Sequence, residues 1–99
     1  MIKWLQQWYA DNCNGEWENT YGIAIGTIGK PGWAVSIDLT NTSLEGVSVP
    51  DHFHETSDSD WMGYSVAQNV FEAVGDPSKL ERIIEVFREI AEANRAERN

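Results

Sequence analysis

Ninety-nine residues, 41% of them hydrophobic and five of them tryptophan, make one domain (1–99) with enough apolar surface for its own core, which excludes a disordered chain. A formal net charge of −9 excludes nucleic acid as a natural partner, because phosphate contacts need Lys and Arg. A single cysteine excludes an intrachain disulfide, and no apolar run approaches the ~18 residues of a membrane span.

The first expected element is a helix from Ile2 to about Asn12, with Leu5, Trp8 and Tyr9 at i, i+3, i+4 and with Ile2 and Trp4 extending the stripe. Asn12-Cys13-Asn14-Gly15 ends it, since Asn or Gly accepts the left-handed backbone of a helix C-terminus. Tyr21 to Ile28 then alternates, with Tyr21, Ile23 and Ile25 against Gly22, Ala24 and Gly26. Trp33 to Leu39 does the same, with Trp33, Val35, Ile37 and Leu39 against Ala34, Ser36 and Asp38. Gly29-Lys30-Pro31-Gly32 between them predicts a hairpin with one large apolar face and one nearly bare face.

A third strand is expected within Val47–Thr56, where Pro50 predicts an edge position or a bulge. A fourth runs from Trp61 to Ala67, with Met62, Tyr64 and Val66 inward and Trp61, Gly63 and Ser65 outward. Gln68-Asn69 reads as a turn and Val70–Ala73 as a short fifth strand. Asp76-Pro77 is expected to open the last helix, with Ser78 and Glu81 as a competing capping box. Leu80, Ile83, Ile84, Phe87, Ile90 and Ala91 form its apolar stripe, and fraying is expected from Asn94 onward. The fold class is therefore α+β: an N-terminal helix, an antiparallel meander of four to five strands and a C-terminal helix. Both helices cover one sheet face and leave the other open.

The acidity is uneven. Residues 1–76 carry eleven acids against Lys3 and Lys30, whereas residues 77–99 are balanced. Such a body suits a basic protein partner, although acidity also serves solubility alone. Met1-Ile2-Lys3-Trp4-Leu5-Gln6 turns polar at once, unlike a secretory leader, so a cytoplasmic protein is expected.

No set of residues reads as catalytic. His52 and His54 would share one side of a strand near Asp51, Glu55 and Asp58, but no third ligand stands at metal-binding spacing, so neither metal nor cofactor is expected. Cys13 lacks a local base and reads as a small core thiol. Glu16 and Glu18 flank Trp17, and Asp58 and Asp60 precede Trp61. Paired carboxylates can serve glycosidases, but in loops they more simply meet water or a partner's Arg and Lys.

Trp8-Tyr9, Cys13-Asn14-Gly15-Glu16-Trp17-Glu18, Tyr21-Gly22-Ile23-x-Ile25-x-Thr27-Ile28 and Pro31-Gly32-Trp33-x-Val35-x-Ile37-Asp38-Leu39 resemble the immunity protein 53 family. The resemblance continues more weakly through Asp60-Trp61 to the helix after Asp76-Pro77, and departs at Gly29-Lys30, where an Asp-Asn type of turn is expected. It implies a bacterial protein that binds and neutralises a cognate toxin of a polymorphic toxin system. Many such toxins are basic nucleases, whose active site an acidic inhibitor could fill in place of phosphate. The motif residues Trp8, Tyr9, Cys13, Gly15, Trp17, Tyr21, Gly22, Pro31, Gly32 and Trp33 read as mainly structural. The expected toxin contacts are Glu16, Glu18, Asp38, Asp58 and Asp60, with Trp61 as an anchor. The alternative is a small-ligand or carbohydrate-binding module using exposed tryptophans beside carboxylates. The oligomeric state stays open, because an edge strand and a bare sheet face both admit pairing.

Overall fold

The computed structural model describes residues 1–97. Its elements are α1 (Ile2–Asn12), α2 (Trp17–Thr20), β1 (Ile23–Ile28), β2 (Gly32–Asp38), β3 (Val49–Ser57), β4 (Asp60–Ala67), β5 (Val70–Gly75) and α3 (Leu80–Glu97). This is the expected α+β fold. The strands lie in the order β1-β2-β5-β4-β3, with every neighbour antiparallel. The hairpin β1–β2 and the consecutive strands β3–β4–β5 thus join through β2 and β5, leaving β1 and β3 as edges.

Period-two alternation sends Val35, Ile37, Val66, Phe71 and Ala73 to one face, where α3 meets them with Ile83, Ile84, Phe87 and Ala91. Phe87 is the hub of this core. Its ring lies 5.1 Å from Phe71, 5.0 Å from Trp8 and 5.8 Å from Trp4, centroid to centroid. Helix α1 has no side-chain cap and no basic residue in its last turn, so packing rather than intrinsic helicity holds it. Leu5 is its buried residue, and each such side chain stabilises by ~1.5–3 kcal/mol. The loop after β2 adds Leu39 and Leu44, both fully buried, with the Thr42 hydroxyl donating to the Leu39 carbonyl at 2.7 Å.

Several boundaries differ from expectation for local reasons. Tyr21 does not start β1, because its N–H donates to the Trp17 carbonyl at 2.7 Å and closes the unforeseen single turn α2. Ile25 was expected on the covered side but is 42% exposed, because β1 is an edge strand beyond the reach of full cover. Strand β5 extends to Gly75, where a side chain would collide with Lys79 of the turn into α3. Helix α3 starts at Leu80 rather than at Pro77. The Asp76 carboxylate takes the Ser78 N–H and hydroxyl, which makes a tight turn and leaves no Ser78 capping box. Fraying from Asn94 is not found as far as Glu97, and Asn94 donates to the Ile90 carbonyl; Arg98 and Asn99 lie outside the described residues. Pro50 stands both on an edge and in a register shift between Val49 and His52, as its missing N–H demands.

Candidate functional site

The tryptophan-rich opening block is architecture. Trp17 is 3% exposed, its indole N–H donates to the Thr40 carbonyl at 3.0 Å, and its ring meets Trp8 edge-on at 5.9 Å. Tyr9 packs on the same ring, and Cys13, expected in the core, is only half-buried and donates to the Tyr9 carbonyl. The Trp33 indole ties β2 to the Pro77 carbonyl at 3.0 Å. Gly15 takes the left-handed backbone (φ 93°) that ends the connection from α1.

The acids expected to meet a partner are split between two ends of the sheet. Asp38 is level with Val70 at one end of β5, whereas Asp60 and Trp61 lie beside Gly75 and Asp76 at the other. Several already have work within the chain. Glu18 accepts the N–H groups of Asn14 and Gly15 at 2.9 and 2.8 Å. Its own backbone N–H, followed by those two, holds its carboxyl below the usual range. Asp38 accepts the Gly22 N–H at 3.2 Å. Glu16 and Asp58 are exposed, and their side chains are free of these ties.

At the far end, Asp76 is 1% exposed and accepts from the Trp61 N–H, the Ser78 N–H and hydroxyl, and Lys79 Nζ at 2.7 Å. Lys79, then Ser78, keep its carboxyl well below the ordinary carboxylate range. Lys79 also reaches Asp60 at 2.6 Å, and Thr56 donates to Asp60 as well, so this acid too is lowered. Trp61 has the outward phase expected of it, yet it is only 9% exposed. Its ring fills the space above Gly32, where a Cβ would stand 3.0 Å from the ring edge.

The sheet face turned away from the helices carries mostly short side chains across its middle. One row across it reads Gly26, Ala34, Val74, Gly63, Phe53, and the next reads Ala24, Ser36, Glu72, Ser65. These residues line a shallow groove of about 710 Å³, and among the described residues its lining includes no lysine or arginine. Phe53 is 64% exposed and lies across Gly63, where a Cβ would come within 2.7 Å of its ring. Asp51 and Glu72 supply the charge in the groove. Phe53 and Glu72 were not singled out from the sequence, and Asp51 was named only as a neighbour of the histidine pair. The signal for them was the shared phase of Asp51 and Phe53 on an edge strand, visible only once the register past Pro50 is known.

Residues 2–92 match the family described as Immunity protein 53. The chain belongs to the immunity protein 53 family. No curated protein and no solved structure matches it. In this immunity-family chain, His52 stacks on Tyr64 at 5.0 Å, and His54 stands opposite Met62 on the edge strand β3. Among the described residues no three His, Cys, Asp or Glu side chains gather as a metal site, and no helix is long and apolar enough to cross a membrane. The motif residues named above place the opening helix, the one-turn α2 and the hairpin.

Proposed function

We propose that this protein is a toxin-neutralising inhibitor that binds its cognate toxin one to one and performs no chemistry of its own. The match of residues 2–92 to an immunity-protein family carries this reading. The acidic body supports it: with −9 overall, encounter with a basic toxin, such as a nuclease, is steered and fast. Glu16 and Asp58 are exposed acids available for such contacts, whereas Glu18, Asp38 and Asp60 would have to share existing hydrogen bonds. Trp61 could offer a partner only its rim.

The carbohydrate-binding alternative rested on exposed tryptophans beside acids. Trp17 and Trp61 are buried, so that basis is gone.

The test is co-expression with the cognate toxin domain, to be sought in the gene immediately upstream, together with titration of the two purified proteins. Protection of the host and a one-to-one complex whose association slows steeply with added salt are expected. Unprotected cells and no complex would overturn the proposal. An association rate indifferent to salt would remove the electrostatic part alone.

A further inference from the structure

We infer that the open sheet face is the toxin-docking surface, and that its occupant is a basic segment of the toxin with Lys or Arg flanking an apolar stripe. This rests on the inhibitor role proposed above. Three properties of the face point to that occupant. Its floor is mostly short-sided: Gly26, Ala34 and Gly63 flank Val74 in one row, and Ala24, Ser36 and Ser65 flank Glu72 in the next. Five strands span roughly 19 Å at ~4.8 Å spacing, wide enough to seat a helix of ~10–12 Å diameter. Small residues let a partner backbone come close.

The second property is a ready anchor. Phe53 stands at the margin of this floor, exposed over most of its surface, on a strand whose other described positions are also accessible. It is 64% exposed, whereas the other two phenylalanines, Phe71 and Phe87, are fully buried. Aromatic side chains of this kind carry much of the energy of protein interfaces.

The third is the sign of the charge. Asp38, Glu72, Asp51 and Glu55 share the phase of this face, and among the described residues no lysine or arginine lines the groove to oppose them. A second copy of this chain would set Glu72 and Asp51 against their own equivalents, and nucleic acid would be repelled outright. An apolar ligand alone would leave the carboxylates without partners. A segment with cations beside an apolar stripe satisfies floor, anchor and charge together.

The experiment titrates the cognate toxin domain into the wild-type protein and into Glu72→Lys, Phe53→Ala and, as a control on the helix side, Glu81→Lys, with thermal unfolding as a check on folding. Affinity is expected to fall at least tenfold for Glu72→Lys and for Phe53→Ala, and to change less than threefold for Glu81→Lys. A second measurement uses the wild-type protein alone: the methyl resonances of Ala24, Ala34 and Val74 should shift on toxin addition more than the amides of Asn14–Glu18. If the wild type binds but the face variants bind equally well and those methyls stay still, the face is overturned and the inhibitor role stands. If the wild type binds no toxin, the role itself falls, and this inference with it. A free protein that dimerises in solution and is made monomeric by Glu72→Lys would assign the face to a second copy and overturn the inference.

Discussion

The two faces of the sheet come from the same five strands and differ in almost everything else. Under the helices, Phe71, Phe87, Trp8 and Trp4 interlock, and Ile37, Val66, Ile83 and Ile84 are sealed from water. On the other side the same strands carry mostly glycine, alanine and serine, with Glu72 on central β5, Asp51 and the exposed Phe53 on edge strand β3, and the buried Trp61 at one end. The covered face therefore holds the stability, and the open face is left with side chains that do little to maintain the fold. In this immunity-family protein, the surface proposed above for recognition is thus the side that lies apart from the core.

The sharpest way to break this contrast is at its hub. Phe87→Ala should lose about 3–5 kcal/mol, because it removes the ring against which Trp4, Trp8 and Phe71 pack, and urea unfolding would read it. A loss as small as that of a surface substitution would mean that the helices are poorly docked. Next comes Gly32→Ala, which tests whether the open side is structural at its turn end. Its new Cβ would lie 2.3 Å from the Gly75 carbonyl oxygen and 3.0 Å from the Trp61 ring, and backbone cannot move aside as a side chain can. A loss of about 1–3 kcal/mol is expected by the same denaturation.

Asp76→Asn should have an intermediate effect, and one that depends on pH. Asp76 is held below its unfolded value of ~3.9, so its contribution is complete at neutral pH and drains away as pH falls through that value toward the folded one. The melting temperature of the variant should therefore lie below wild type at pH 7 and converge with it in acid. A constant gap from pH 7 to 3 would assign the effect to geometry rather than charge. The smallest effect belongs to the open face: Glu72→Lys should shift stability by no more than about 0.5 kcal/mol by thermal unfolding. A large loss there would erase the distinction between the faces.

Much of this was legible in the chain itself. Helix α1, the two alternating segments 21–28 and 33–39, the Pro50 bulge and the Gln68-Asn69 turn all follow from local pattern. In that turn both residues have positive φ, at 54° and 64°. What local pattern could not reveal is which distant strand sits beside which. The pairing of β2 with β5 sets Trp61 near Gly32, and so turns an outward tryptophan into a buried one. Glu18 was hidden for a local reason: it reads as a solvated acid until the unexpected single turn α2 brings it back onto the N–H groups of Asn14 and Gly15. Phe53 escaped because strand phase past a bulge shifts by one residue, and a one-residue shift exchanges the faces.

The Pro50 bulge has a consequence for crowding. A one-to-one inhibitor, as proposed above, would have to be at least as abundant as its target, and exposed sheet edges invite copies of a protein to stick together as they accumulate. Along β3 that route is obstructed by a proline with no N–H to donate, by a broken register, and by Asp51, Glu55 and Asp58, which repel the same acids on another copy. The β1 edge has no such guard: it is Ile23-Ala24-Ile25-Gly26-Thr27-Ile28, uncharged throughout. Concentrated stocks of this protein should therefore age from the β1 side, and one lysine at an exposed β1 position such as Ile25 is the change that would lengthen their life.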